Sequence, residues 1–305
     1  MASADNGGAF TSVSDQAARN PIKLPSNTTL IGIGSSATLV NARVVVKDVA
    51  NVIVRNFTIV NPCDIAPVWD PNDGSSGNWN SEYDGLVIDG SKNVWVDHNL
   101  FTDAPQTDDL SPIENSKLKQ CHDGALDIKN GSDYVTASYN VFDQHDKNTL
   151  VGSSDSSGST DDGHLTVTFH HNRFTNVTER APRVRFGRVH VFNNYHEGDR
   201  SRPVYPYAYS LGVGYKAQIL SEQNAFDIAG ATGCPHIVKN PGSSSKTGAI
   251  SDTGSLLNGA ALNVAGGCSF AAASWAIPYT YSATPASQVK SLVAPAAGVG
   301  KLTVN

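Results

Sequence analysis

No apolar run in the 305-residue chain approaches the ~18 residues that a membrane-crossing helix needs, so no span is expected. Amphipathic helix windows are nearly missing as well, which turns attention from helical bundles to strands and turns. Positive charge is not in excess. The formal net charge is −6, whereas a nucleic-acid binder would carry a basic stripe on a basic domain. No Cys/His spacing of the zinc type occurs, and no Pro/Gly/Ser linker divides two composition regimes, so one domain over 1–305 is expected. The first thirty residues are polar and show no secretory leader pattern.

An internal repeat fills the space those absences leave. Six segments end in an apolar-alternating run and an asparagine: VIVRNF at Asn56, VWVDHNLF at Asn99, VTASYNVF at Asn140, VTFHHNRF at Asn172, VHVFNNYH at Asn194 and ILSEQNAF at Asn224. The spacings are 43, 41, 32, 22 and 30, so the shortest is read as one full coil and the others as a coil plus loop. Strand, bend, strand at a period in the low twenties predicts an all-β parallel β-helix, each coil stacking on the next at about 4.8 Å. Asparagine in register has two uses there: it tolerates the left-handed conformation of a sharp bend, and its amide can bond the equivalent amide one coil away. A second strand family runs ten to twelve residues ahead of the first, in DGLVI (84–88), GALDI (124–128), TLVG (149–152) and PRVRFG (182–187). Loop excursions are expected near 64–80, 103–120, 153–163 and 200–215. The stretch 1–20 reads as poorly structured or cut short.

Stacking in register makes distant residues neighbours on one face, and two clusters fall in or beside the second family. Asp84, Asp123 and Asp127 form the acidic one. Three convergent carboxylates repel unless a cation joins them, and an all-oxygen set suits calcium better than zinc. Between 173 and 188 stand Arg173, Arg180, Arg183, Arg185 and Arg188 against one acid, Glu179. Strand alternation sends Arg183 and Arg185 to one face and Val184 to the core. A guanidinium fork grips carboxylates, so an acidic cluster beside a basic one suits chemistry on an anionic sugar. His122, His170 and His171 read as packing or hydrogen-bonding groups. Tyr205, Tyr207 and Trp69 are equally readable as groove lining or loop packing.

Of the four cysteines, Cys234 and Cys268 sit in Gly-rich loop sequence and read as a bridge, which hints at export; Cys63 and Cys121 are open between a bridge and buried thiols. Asn-x-Thr occurs at Asn27, Asn56 and Asn176, the second of these inside the inferred ladder.

YDGLVIDGSKNVWVDHNLFTD, the stretch from CHDGALDIKN through HDKNTLVGSSDS, and LTVTFHHNRFTNVTERAPRVRFGRVHVFNNYHEG together resemble the core of pectate lyases of the first polysaccharide lyase family. The resemblance runs from about Ile22 to the C-terminus. It implies a right-handed parallel β-helix and calcium-dependent eliminative cleavage of α-1,4-polygalacturonate. Carried over by motif, it makes Asp84, Asp123 and Asp127 calcium ligands, Lys147 and Arg185 substrate-binding groups, and Arg180 the catalytic base; Arg183 has no comparable role. It also implies a secreted monomer that meets neither nucleic acid nor membrane. Relatives of this type carry a longer N-terminal portion with a capping helix, so this chain starts late.

The chemistry is coherent on its own. Bridging a uronate carboxylate to calcium, Lys147 and Arg185 stabilises charge as the C5 proton leaves, and the C4 oxygen is then expelled. Arginine is protonated at neutral pH, so a depressed pKa, lowered by Arg185, Lys147 and calcium, and an alkaline optimum are expected. Three alternatives stand beside this reading. A pectin lyase acting on methyl-esterified polymer would not need the aspartates. A polygalacturonase would need a carboxylic acid pair, for which Asp161-Asp162 or Asp108-Asp109 could be nominated. A non-catalytic carbohydrate-binding β-helix would need neither cluster.

Overall fold

The computed structural model describes residues 2–3, 9–74 and 76–303. Three sheets run its length, with ten, eight and eight strands among the described residues, parallel except for the last pair of the ten-stranded sheet, Leu256–Leu257 with Ala260–Ala261, and each coil contributes one strand to each sheet in turn. One complete pass is Leu86–Asp89, Lys92–Asp97 and Leu100–Thr102. The next pass is Leu126–Lys129, Asp133–Ser138 and Val141–Lys147, paired to the first in parallel register. This is the parallel β-helix the repeat predicts. It has three faces per coil where the sequence suggested two, because the asparagine is a corner that turns the chain from the second sheet into the third.

Period-2 alternation builds the interior. Leu86 and Leu126 point inward from the first sheet, Val96 and Ala137 from the second, and Phe101 and Phe142 from the third, all fully buried. In the third sheet the rings stack along the axis. Phe101, Phe142, Phe174, His196 and Phe226 follow one another with centroids 5.0, 5.0, 4.5 and 4.5 Å apart. His196 substitutes for a phenylalanine, and burial pushes its imidazole down to about 3, so it packs as a neutral ring.

The asparagine ladder contains five of the six expected members. The Oδ1 of Asn140 accepts both the backbone N–H and the Nδ2 of Asn99, at 3.0 Å each. Asn172, Asn194 and Asn224 repeat the pattern. Asn56 stands one residue out of register. Arg55 pairs with Asp97, so Asn56 aligns with His98, and it is Phe57 whose N–H reaches Asn99 Oδ1. Nor do the ladder asparagines take the left-handed bend. That conformation belongs to the preceding residue in each coil, His98, Tyr139, His171, Asn193 and Gln223, and to Asn56 itself. The ladder thus selects asparagine for its amide alone.

The expectation of poor structure within 1–20 does not hold for Val13–Arg19, which is helical. Ser12 Oγ caps it, and the buried Gln16 fixes it to the barrel by donating to Cys63 O and accepting from Ile65 N–H. Residues 1 and 4–8 lie outside the described residues. At the other end, the helix Ala286–Ala296 packs Val289 and Val293 on Tyr195 and Ala225. Two excursions carry hairpins: Val68–Asp70 with Asn78–Asn80, and Ile113–Glu114 with Lys117–Leu118. Disulfide Cys63–Cys121 joins their roots, and Cys234–Cys268 is the second bridge. The 200–215 excursion is shorter than expected, because Leu211–Val213 returns to the first sheet.

Candidate active site

The acids come together at the start of the first sheet. Asp127 faces outward between the core residues Leu126 and Ile128, and Asp84 lies two residues ahead of Leu86–Asp89 on the neighbouring coil. Backbone pairing of Gly85 N–H with Gly124 O sets the two coils side by side. Gly124 is the floor between the carboxylates: a Cβ there would lie 2.5 Å from Asp127 Oδ1 and 3.0 Å from Asp84 Oδ1. Asp123 is half-buried beside them.

Electrostatics show what the cluster lacks. Burial, then Asp127 and Asp123, drive Asp84 well above the usual carboxylate range, against Lys129 and Arg43. Asp127 is raised to about 6 by burial and Asp123, although Leu150 N–H, Lys129 and Arg180 pull it down. Arg43 Nη2 meets Asp84 Oδ2 at 3.2 Å, with Lys129 Nζ at 3.9 Å, but Asp84 Oδ1 is buried with no hydrogen-bond partner. An all-oxygen set, one orphaned carboxylate oxygen and a glycine that leaves the space clear fit a hard divalent cation.

Arg180 occupies the bend between Arg173–Glu179 and Arg183–Val184, with a left-handed φ of 64°. Its Nε donates to Glu179 Oε1 at 3.0 Å, and it feels Asp127 and Asp123. Burial alone would lower it. Glu179, Tyr209 and the two aspartates outweigh burial and hold it above its ordinary value, so the depression expected from Arg185 and Lys147 is absent. Lys147 ends the strand Val141–Lys147, in register with Glu179. Its buried ammonium meets the Trp79 carbonyl at 3.4 Å rather than the acids. Arg185 is anchored by the 153–163 excursion: Nε donates to Asp155 Oδ1 at 2.9 Å, and Nη1 to Gly152 O and Ser153 O. Val184 is turned to the core, as alternation required.

The structure therefore gathers Asp84, Asp123, Asp127 and Arg180, and holds Arg185 and Lys147 by other partners. Sequence reasoning missed Arg43, Lys129, Glu179 and Asp155, which position the site. Register offered a signal for two of them, since Lys129 is two residues from Asp127 on one strand and Arg43 begins the equivalent strand two coils before it.

A second buried polar cluster contains Asp103, Asp108 and His122, whose ligand-type atoms lie within 4.8 Å of one another. Hydrogen bonds close most of it. Asp103 accepts from His145 Nδ1 at 2.7 Å, Asn61 Nδ2 at 2.8 Å and Tyr205 OH at 2.8 Å, and His122 Nε2 donates to Gln106 O at 2.7 Å. Tyr205 also accepts from Asp108 N–H, so it ties the 103–120 excursion to the 200–215 one. Tyr205 and Tyr207 are buried loop packing, and Trp69 stacks edge-on against Trp79. His170 and His171 pack against Tyr139, each pulled down to about 4, by burial in both and by the other's charge for His170. The acid pairs nominated for hydrolysis do structural work: Asp161 accepts from Gly131 N–H, Asp162 pairs with Lys216, Asp108 accepts from Gln120 and Asp109 from Thr107.

Comparison with known proteins agrees with this geometry. A family model described as pectate lyase matches residues 2–302. Pectate lyase E of Dickeya chrysanthemi is 48% identical over 301 residues, covering 97% of this chain and 77% of that protein. The pectate lyase of Bacillus subtilis strain 168 is 42% identical over 289 residues, covering 94% and 67%. A solved pectate lyase bound to a hexasaccharide superposes with a TM-score of 0.90 at 41% identity, over 95% of this chain and 72% of that one. The chain belongs to the pectate lyase family, and it is a polysaccharide lyase built on a parallel β-helix.

Proposed function

We propose that this lyase cleaves α-1,4-linked polygalacturonate by calcium-dependent β-elimination, with Arg180 as the base. The observation that carries the reading is the pairing of an under-neutralised carboxylate cluster, with Asp84 Oδ1 orphaned, and a half-buried arginine that senses two of its members, Asp127 and Asp123. Asp84, Asp123 and Asp127 would hold the ion. When bound, calcium would neutralise them and draw electrons from the substrate carboxylate, making the adjacent C5 proton more acidic.

The chain's own groups do the rest. Arg185, fixed by Asp155 and two carbonyls, offers its remaining N–H donors to the uronate carboxylate, and Lys147 adds a second positive group there. Only a neutral guanidine accepts a proton. Once Asp123 and Asp127 are neutralised, two of the groups that raise Arg180 fall away, and burial, which lowers it, is opposed by Glu179 and Tyr209 alone. Arg180 takes the C5 proton, the C5–H electron pair forms the C4=C5 double bond, and the C4–O bond breaks with its electrons on the leaving oxygen, which is protonated from solvent. The products are 4,5-unsaturated oligogalacturonides, with no water added across the bond. Two disulfides favour an oxidising compartment, so secretion is part of the same reading.

The deciding experiment follows ultraviolet absorbance of the unsaturated product on esterified and unesterified polymer, with and without chelator. Chelator-sensitive absorbance on the unesterified polymer is expected. Reducing ends without absorbance would mean hydrolysis, and chelator-insensitive turnover of the esterified polymer would mean a pectin lyase.

A further inference from the structure

Arg183 is a cation without a counter-ion. Arg180 has Glu179 and Arg185 has Asp155, whereas the guanidinium of Arg183 has neither a hydrogen bond nor an ion pair among the described residues, and its Nε is buried. Burial pulls it down to about 10, Arg185 and Arg180 add to that, and Tyr209 and Glu179 oppose them only in part. An arginine held this way is destabilising until an anion arrives.

Strand register shows where the anion would lie. Arg183 pairs with Gly212, and Gly212 with Lys239, so Arg183, Gly212 and Lys239 form one outward row along the first sheet. Arg183 also pairs with Leu150, whose N–H bonds Asp127 Oδ1 on the coil before. The row therefore runs from the acid cluster to Arg183 in two steps and to Lys239 in two more, at about 4.8 Å per step. Gly212 makes the row passable. A Cβ there would lie 2.9 to 3.0 Å from Arg183 Cβ, Cα and Cγ, so the arginine stem lies along the glycine and runs away from the acids, its Nη2 reaching toward Gly242.

Lys239 meets the stem from the other side. Its ammonium has no ion pair or hydrogen bond among the described residues and stands 6.0 Å from the ring of Tyr209. Tyr209 is buried, and its hydroxyl has no partner. Two unpaired cations and an unpaired hydroxyl thus converge two to four coils from the acid cluster.

We propose that Arg183 and Lys239, with the Tyr209 hydroxyl, form a carboxylate-binding subsite that holds a uronate several sugars removed from the bond being cleaved. The inference rests on polygalacturonate being the substrate, but not on which residue is the base. It makes the enzyme prefer long, unesterified chains, since a polymer laid along the coils crosses this row and a short oligomer centred on the acids does not.

The test uses Arg183→Gln and Lys239→Gln in the full chain, with calcium saturating. The KM for polygalacturonate is expected to rise about tenfold for Arg183→Gln and about threefold for Lys239→Gln, with kcat falling less than twofold, while trimer turnover moves less than twofold. Retention in a polygalacturonate affinity gel is measured alongside in an Arg180→Lys background, where binding is read without turnover. Retention should weaken in step with KM. Retention and KM that both stay put would overturn the subsite, and so would an equal loss on trimer and polymer. Full turnover by Arg180→Lys alone would overturn the base assignment and leave the retention result to judge the subsite. Thermal unfolding midpoints identify a variant that fails by misfolding; for such a variant Arg183→Lys, which keeps charge but loses the fork, must raise KM on polymer above that on trimer for the proposal to stand.

Discussion

Arg180 donates its Nε to the carboxylate of Glu179, its own neighbour in the chain, at 3.0 Å. The partner raises the proton affinity of the group proposed as base, so Glu179 sets where on the pH axis the enzyme works. Glu179→Gln should move the rising limb of the kcat profile down by about one pH unit. Arg180→Lys should reduce kcat by about 10²- to 10⁴-fold, the range of a lost general base. A profile that ignores Glu179→Gln would mean that Arg180 does not govern the limb.

The proposed function gives Asp84 and Asp127, both raised by burial and by neighbouring carboxylates, a cation as partner. In chelator, Asp84→Asn should unfold at a higher temperature than the parent, since it removes a buried charge raised by burial and two neighbours. A gain of roughly 1 kcal/mol, about 2 °C for a chain of this size, is expected. In calcium the order reverses: the parent gains about 2.7 kcal/mol at one hundred times its dissociation constant, and the variant does not. Gly124→Ala should lose calcium stabilisation as well, because its Cβ enters the space beside Asp127 Oδ1. Scanning calorimetry with and without calcium checks all three.

How far the sequence was legible follows from what kind of information register is. Periodicity alone placed Asp127 and Val184 on opposite sides of the first sheet, since alternation is local. The aspartates and Arg180 converge because coils stack, which the recurring asparagines made visible. Asn56 misled by one position, because an asparagine is suited both to the amide ladder and to the left-handed bend beside it. The exposed row Asn27, Asn51 and Asn93, linked through side-chain amides at another bend, went unread for a related reason: its recurrence stops at Tyr134. The ion pairs of Arg185 with Asp155 and of Arg43 with Asp84 depend on loop path and side-chain reach, for which periodicity carries no signal.

His145 and Asp103 give the fold a pH signature away from the cleft. Burial disfavours His145 charge, but Asp103 wins and raises the imidazole from its ordinary value to about 9. A raised histidine contributes stability fully present below about pH 6.5 and lost as pH rises through about 9. Asp103, held low through His145 and His122 despite its own burial, contributes in the opposite sense, and its share is lost in acid. Unfolding midpoints should thus fall between pH 7 and 10 by several degrees, and His145→Gln should flatten that alkaline slope. An alkaline slope that survives His145→Gln would assign it to other groups.

The asparagine ladder gives the sharpest stability test because each member serves two coils. Asn172 Oδ1 accepts the backbone N–H and the Nδ2 of Asn140, while its Nδ2 donates to Ala137 O and Asn194 Oδ1, all at 2.9 to 3.0 Å and all buried. Asn172→Ala strands the two Asn140 donors where no water reaches. Each unpaired buried group costs about 1 to 3 kcal/mol, so a loss of roughly 3 to 5 kcal/mol is expected. Asn172→Asp should also destabilise, because the carboxylate still accepts from Asn140 but no longer donates to Ala137 O, and it buries a charge besides. Asn56→His is the control. That position aligns with His98 rather than with the ladder, so no ladder amide loses its partner, and the cost lies in its bonds to Gly32 O, Gly34 O and Gly300 N–H and in fitting a larger ring at a buried corner. Urea unfolding should place Asn172→Ala well below Asn56→His in midpoint; equal midpoints would mean that stacked amides hold the coils together no better than an ordinary corner does.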